Sequence, residues 1–186
     1  MRSTLRRAEA VARCGVLTAL AAIFSYIEAL FPLSLGVPGI KLGLANMVVV
    51  FALYTLGARV AVTISLLRII LVSALFGNFT MALYSIAGAL CSLTVMIALK
   101  RCGRFSLIGV SMAGGVCHTA GQLGVAMLAA GTATLVAYLP ALILAGMAAG
   151  TLIGWLTWRI LPRLVMVLER KSGASAPVEE KGRGKA

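Results

Sequence analysis

Long apolar segments, separated by short clusters of basic residues, constrain the fold of this chain more than any other feature of its sequence. Only 12% of the 186 residues are charged, whereas a soluble domain carries about 25%. A helix that crosses a bilayer needs about 20 mainly apolar residues. The pattern therefore predicts an all-α integral membrane protein, and it excludes an ordinary soluble domain and a disordered chain.

Six membrane-spanning helices account for the apolar segments. The second helix is short, and Pro32 and Pro38 precede it, which favours a loop or a partly re-entrant segment there. The first apolar segment is too long for a cleaved signal peptide, so we predict a retained span. The predicted helices cover about residues 14–31, 43–56, 59–76, 79–99, 106–130 and 134–160.

The basic residues predict how the chain is oriented in the membrane. Of the 17 Lys and Arg residues, all but Lys41 and Arg68 fall on one predicted side. Positive charge concentrates on the cytoplasmic side, so both termini are predicted to lie in the cytoplasm of a bacterium, and no nucleic-acid partner is predicted. We divide the chain into a cytoplasmic segment (1–13), a lipid-embedded six-helix domain (14–165) and a mostly disordered, basic cytoplasmic tail (166–186).

Ionisable side chains inside a bilayer are costly, so each of them is a candidate functional residue. Arg68 follows Arg59 by nine residues, which places it about 13 Å along the helix and close to the middle of the membrane. Two interpretations are open. Arg68 binds an anion or shapes a pocket, or it forms a structural ion pair with Glu28 in the outer half of the first helix.

His118 and Gln122 lie one turn apart on one face of the fifth predicted helix. They either hydrogen-bond a substrate or hydrogen-bond a neighbouring helix. A hydrogen bond between membrane helices contributes only about 0.6 kcal/mol. We favour substrate contact. The chain has one histidine, and its four cysteines form no Cys-x-x-Cys pair, so we predict no haem, metal, disulfide or other cofactor.

The segment of residues 38–46 carries Lys41 and leads Asn46 into the second helix, at the same outer level as Asn78. It is either a surface loop or, as we favour, a lid or pocket wall near Glu28 and Gln122. The predicted substrate-binding residues are therefore Glu28, Lys41, Asn46, Arg68, Asn78, His118 and Gln122.

Two rows of small residues predict close helix packing, because small side chains let helices approach in lipid. Gly146, Gly150 and Gly154 recur every fourth residue of the sixth helix, where packing inside the chain is the simpler explanation. The row on the first helix begins before the span, which favours a surface for a partner protein. Its predicted contact residues are Ala12, Gly15, Ala19 and Ala22.

A resemblance to a known family rests on Arg68 and four segments. They are residues 38–46 (Pro-Gly-Ile-Lys-Leu-Gly-Leu-Ala-Asn), 76–78 (Phe-Gly-Asn), 84–88 (Tyr-Ser-Ile-Ala-Gly) and 108–122 (Ile-Gly-Val-Ser-Met-Ala-Gly-Gly-Val-Cys-His-Thr-Ala-Gly-Gln). Over about residues 10–165 the chain resembles the Gx transporter family, also labelled heptaprenyl diphosphate synthase component I. The family usually has Asn after the histidine, where this chain has Thr119.

That family is similar in size and topology to the substrate-capture (S) components of energy-coupling factor transporters. The resemblance implies a bundle of six helices with an outward-facing pocket for a small solute. It also implies a first helix that packs through small residues against a transmembrane T component, which is driven by two ATPases. The chain itself lacks a Gly-x-x-x-x-Gly-Lys-Ser/Thr motif, so we predict that it does not hydrolyse ATP.

The synthase label provides a second hypothesis, in which the chain is a membrane accessory subunit in isoprenoid or quinone synthesis. Prenyl diphosphate synthases bind magnesium diphosphate through aspartate-rich motifs, since Mg²⁺ prefers carboxylate oxygens. This chain has no aspartate, so we predict that it is not the enzyme itself. A third hypothesis, a subunit of a membrane redox complex, requires cofactors held by other subunits.

Overall fold

The computed structural model describes residues 2–30 and 43–173, and the regular structure in that part is helical throughout. This confirms the all-α prediction. The predicted loop with Lys41 and the tail after residue 173 lie outside the described residues. The α-helices are α1 (Arg2–Leu30), α2 (Leu44–Thr55), α3 (Ala58–Phe76), α4 (Phe79–Cys102), α5 (Leu107–Ala130) and α6 (Leu139–Gly173), and a 3-10 helix (Thr134–Tyr138) precedes α6.

Four described segments are long and apolar enough to cross a membrane: Ala8–Leu30, Ala58–Phe76, Phe79–Cys102 and Thr134–Arg163. Helix α2 has 12 residues and spans about 18 Å, less than the hydrocarbon core of a bilayer. Helix α5 has 24 residues, but its many glycines, His118 and Gln122 make it less apolar. The chain has the helices of a membrane protein, while six full crossings and their orientation stay predictions.

Helix α1 begins at Arg2, well before the predicted start at residue 14. Residues 2–13 contain no glycine or proline, and most of them are good helix formers such as Ala, Arg, Leu and Glu. The basic charge of this stretch suggested an extramembrane segment, but charge does not prevent the helix from continuing. The predicted N-terminal segment is therefore a helical extension of α1.

The last helix also differs from its predicted bounds of 134–160. Helix α6 begins at Leu139 and continues to Gly173. Its start fits Pro140, because proline is tolerated in the first turn of a helix. Pro162 lies inside the helix, where proline usually breaks or kinks a helix, yet the helix formers that follow Pro162 continue it.

Helix α2 lies at the centre of the bundle, and its residues from Val48 to Leu53 are all buried. It contacts α1, α3 and α6, while α5 packs between α4 and α6. A helix that is apolar on every side is buried on every side, which explains the central position of this short segment. The core around it includes Ala21, Ile64 and Val110.

Helices α5 and α6 touch through glycines. A Cβ atom placed on Gly146 would lie 2.9 Å from the carbonyl oxygen of Gly115, and one on Gly150 would lie 2.6 Å from that of Ser111. The Ser111 hydroxyl also donates a hydrogen bond to the Gly150 carbonyl, at 2.7 Å. The glycine row of α6, which also includes Gly154, therefore packs inside the chain. This agrees with the prediction that these glycines serve internal packing.

The helix connections bring basic residues to one end of the bundle. At this end, Lys100 donates a hydrogen bond to the Leu53 carbonyl at 2.5 Å and lies 4.8 Å from the centre of the Tyr54 ring. Arg159 lies over Trp155 and Trp158, at 5.5 and 5.7 Å. Tryptophan with arginine is typical of either membrane–water interface, so the cytoplasmic assignment of this end stays a prediction.

Candidate functional site

A partly open cavity lies among the six α-helices, each of which contributes to its lining. The space available to the centres of water-sized molecules is about 100 Å³, enough for several waters or a small solute. Apolar side chains such as Val50 and Ile153 form part of the wall. The polar lining residues are Ser25, Glu28, Asn46, Arg68, Ser73, Ser85, Ser92, Ser111, His118, Thr119 and Gln122.

The cavity brings together five of the seven residues predicted to bind substrate, although they come from four different helices. These are Glu28, Asn46, Arg68, His118 and Gln122. Side chains of such polarity in apolar helices are costly unless they face a polar environment. Their convergence on one cavity makes this cavity the candidate site for a small molecule.

Arg68 extends from α3 towards α1. Its Nη1 atom donates a hydrogen bond to the Ser25 hydroxyl at 3.3 Å. Its Nε atom is buried and has no hydrogen-bond partner among the described residues. The neighbouring Ile69 and Val72 are buried in the core, which fixes the helix face that carries Arg68. The guanidinium is thus held on one side by α1, and no described residue accepts a hydrogen bond from its Nε atom.

Glu28 binds the start of α2. Its Oε1 atom accepts hydrogen bonds from the backbone N–H groups of Gly43, at 2.5 Å, and Leu44, at 3.1 Å. Gly43 has a φ of 77°, a conformation that glycine adopts without strain, and it has no side chain to cap the helix. A carboxylate at a helix N-terminus also interacts favourably with the helix dipole. Glu28 therefore acts as a cap supplied by α1.

The structural ion pair considered for Glu28 and Arg68 is not formed as a direct contact within the described part of the chain. The described contacts of the carboxylate are the two N–H groups of α2, while the guanidinium contacts Ser25. Glu28 is near enough to act on Arg68 electrostatically. The cavity therefore holds a carboxylate and a guanidinium that attract each other without neutralising each other by contact.

His118 and Gln122 face α4 across Gly88. A Cβ atom placed on Gly88 would lie 2.9 Å from Cε1 of His118 and 3.0 Å from Cγ of Gln122. Gly88 therefore makes room for both side chains between α4 and α5. Both residues line the cavity, where an imidazole and an amide can donate and accept hydrogen bonds.

Asn78 is not among the residues that line the cavity. It precedes α4, and its Oδ1 atom accepts a hydrogen bond from the backbone N–H of Met81 at 2.8 Å. Asparagine is a favoured N-cap residue, so this contact accounts for its position. The described structure gives Asn78 a capping role rather than a place in the site, and Lys41 lies outside the described residues.

Hydroxyl groups in the cavity were missed by the sequence interpretation. Ser25, Ser73, Ser85, Ser92 and Ser111 all line it. The signal available in the sequence was weak, because serine in an apolar helix often bonds to its own backbone. The spacing of Ser85 and Ser92, seven residues and about two turns apart, would have placed both on one face of α4.

Thr119 occupies the position at which the resembling family usually has Asn. Its hydroxyl lies 2.9 Å from the Val116 carbonyl and 3.3 Å from the Leu142 carbonyl, so it bonds within α5 and across to α6. Thr119 thus lines the cavity with its hydroxyl directed to backbone carbonyls, and it offers fewer donors to a ligand than an amide would.

The small residues of α1 face outwards. Ala12, Gly15 and Ala19 are exposed, and Ala22 is half-buried. A Cβ atom placed on Gly15 would meet nothing within 4 Å among the described residues, whereas Thr18 is buried. Ala12, Gly15 and Ala19 are therefore not used for packing within the described part of the chain, in contrast to the glycine row of α6.

The site contains hydrogen-bonding groups and two charged groups, without an arrangement for metal chemistry in the described residues. No group of three or more His, Cys, Asp or Glu side chains is placed there to share a metal ion. The four cysteines are free thiols. The arrangement can bind and orient a polar molecule through its guanidinium, imidazole, amides and hydroxyls.

The fold and the cavity together define a helical membrane protein with a polar pocket among its helices. The family model described as heptaprenyl diphosphate synthase component I matches residues 17–160, and the chain belongs to that family. The family resemblance predicted from the sequence is thus confirmed under this label. No curated protein and no solved structure matches the chain, and the likeness to S components stays a prediction.

Proposed function

We propose that this protein binds a small solute within the bacterial cytoplasmic membrane, as the substrate-binding subunit of an energy-coupling factor type transporter. The observation that carries the proposal is the cavity, in which polar side chains from separate apolar helices converge. Packing alone does not require this arrangement, since each buried polar group costs free energy. A binding role accounts for that cost.

The outward row on α1 supports a partner in the membrane. Ala12, Gly15 and Ala19 are exposed, and small residues allow another helix to approach closely in lipid. In the proposed assembly this surface contacts a transmembrane T component, and two ATPases supply the energy. The absence of a P-loop motif in the sequence fits a subunit that depends on partners for ATP hydrolysis.

The family description favours a second candidate function, an accessory subunit of heptaprenyl diphosphate synthase. In that role the chain would assist a separate catalytic subunit at the membrane. A chain without aspartate does not supply the carboxylate-rich motifs that hold magnesium diphosphate. The partner in this case would be a soluble prenyl diphosphate synthase rather than a T component.

Purification of the tagged protein from native membranes in mild detergent separates the two functions, with bound proteins identified by mass spectrometry. Recovery of a T component with two ATPases is the expected result. Recovery of a soluble synthase instead would favour the accessory role, and recovery of flavin or iron–sulfur subunits would favour the redox hypothesis. A protein recovered without partners would contradict the energy-coupled assembly and favour a transporter that acts alone.

A further inference from the structure

The free edge of Arg68 has the geometry that binds a carboxylate. Nη1 is used by Ser25, while the buried Nε atom has no hydrogen-bond partner among the described residues. In a guanidinium, Nε and Nη2 lie along one edge, and together they form a fork that matches the two oxygens of a carboxylate. The Ser25 contact restricts rotation of the group, and no described residue accepts a hydrogen bond from Nε on this edge.

The positive charge of Arg68 also favours a nearby anionic group. A buried charge is costly unless it is paired and hydrogen-bonded. Glu28 is the acidic residue of the cavity lining, but its Oε1 atom is held by the N-terminus of α2. An anionic group at the free edge of Arg68 would supply the pairing that Glu28 does not supply by contact.

The same surroundings disfavour a multiply charged ligand such as a diphosphate. Among the described residues that line the cavity, Arg68 is the one Lys or Arg. Glu28 places a negative charge on the same wall and would repel a second anionic group. Phosphate sites combine several basic groups, a helix N-terminus or a metal ion, and here Glu28 already occupies the N-terminus of α2.

We infer that the solute carries a single carboxylate, which binds the Nε edge of Arg68. This inference rests on the proposed solute-binding function and specifies its substrate class. His118 and Gln122 then hydrogen-bond the remainder of the molecule from α5, because they line the same cavity. The apolar wall at Val50 and Val72 accommodates a non-polar portion.

The test measures the midpoint of thermal unfolding of the full chain in lipid nanodiscs. Unfolding is monitored through the fluorescence of Trp155 and Trp158. A ligand that binds the folded state raises this midpoint. The probe is the small-molecule fraction of a bacterial lysate, divided into three portions: untreated, phosphatase-treated, and amidated with carbodiimide and methylamine. Inorganic pyrophosphate is tested as a separate probe.

The untreated and phosphatase-treated portions are expected to raise the midpoint, while the amidated portion and pyrophosphate do not. A shift that survives amidation, or one that phosphatase removes, would overturn the carboxylate inference and leave solute binding standing. Stabilisation by pyrophosphate would also overturn it. If no portion shifts the midpoint of the folded protein, both the inference and the proposed function fail.

A matched pair of substitutions tests the fork itself. Arg68→Lys keeps the positive charge but loses the two parallel N–H donors of the guanidinium. About tenfold more of the untreated portion is therefore expected to be needed for the same rise in the unfolding midpoint. Arg59→Lys makes the same change at an exposed position of α3 and is expected to respond as the wild type does. Equal responses from both variants would overturn the role of Arg68.

Discussion

At the scale of single residues, Glu28 has both a place in the site and a structural role in the fold. Its carboxylate lines the cavity and also holds the first two N–H groups at the start of α2. A capping contact from another helix fixes where α2 begins, and thereby positions Asn46 within its first turn. The residue therefore contributes to the shape of the site even if no ligand touches it.

Glu28→Ala is expected to destabilise the protein by about 2 kcal/mol, because two backbone donors lose a charged acceptor. Glu28→Gln keeps a neutral acceptor and is expected to lose less. The measurement is the midpoint of thermal unfolding in detergent. Glu9→Ala, at an exposed position of the same helix, is the control and should leave the midpoint unchanged. An equal loss in the two alanine variants would contradict the capping role.

The composition of the site was partly predictable from single residues. Arg68, Glu28, His118 and Gln122 stand out because polar side chains are rare in apolar helices, and they do converge on the cavity. Asn78 lies outside the cavity although the start of α4 was predicted correctly at residue 79, because its side chain is used to cap that helix. The serines were missed because a hydroxyl in a helix has a local alternative, the carbonyl one turn back.

At the scale of helices, the two rows of small residues differ in their surroundings: one is packed inside the chain and the other is exposed. The glycines of α6 pack on α5 at distances that no side chain could occupy, whereas the row on α1 is exposed. Spacing alone does not separate the two rows, although the start of the α1 row before the span favours an outward surface. What separates them is which neighbour each helix meets, and that depends on the arrangement of the whole bundle.

Gly150→Ala is expected to destabilise the protein by about 1–3 kcal/mol, since the new methyl group would overlap the Ser111 carbonyl. Gly124→Ala, on the exposed face of α5, meets nothing within 4 Å among the described residues. It should be neutral or stabilising by up to about 1 kcal/mol through helix propensity. Thermal unfolding of the two variants provides the comparison, and equal effects would argue against close α5–α6 contact.

Lys100 caps the opposite end of α2. The Leu53 carbonyl lies in the last turn of that helix, where carbonyls lack helical partners, and Lys100 donates to it. Lys100→Met is expected to cost about 1 kcal/mol, while Arg101→Met at the exposed neighbouring position should change stability by less than about 0.5 kcal/mol. If chemical denaturation gives the same midpoint for both variants, the cap contributes nothing.

At the scale of the whole molecule, the short central helix determines the architecture. Helix α2 is too short to cross the bilayer alone, and it is capped by α1 at one end and by α4 at the other. The sequence predicted its length and apolar character, because these are local properties. Its burial at the centre was not predictable, since that depends on contacts between segments distant in the chain.

The exposed face of α1 gives the last prediction, which concerns the assembly. If the proposed assembly with a T component forms, Ala12→Leu combined with Ala19→Leu should reduce recovery of that component by about tenfold or more, because bulky side chains prevent close helix approach. Ala22 is left unchanged because it is half-buried, so that a change there would also disturb packing within the chain.

A matched double variant shows whether this loss is specific. Ala141→Leu combined with Ala148→Leu places the same two substitutions, with the same spacing, on exposed positions of α6. It should retain the partner in the detergent purification, and both variants should unfold at the wild-type midpoint. If the α1 variant also retains its partner, then the outward row faces lipid and the T component binds elsewhere. If both variants lose it, the effect is a general consequence of added bulk rather than of the α1 surface.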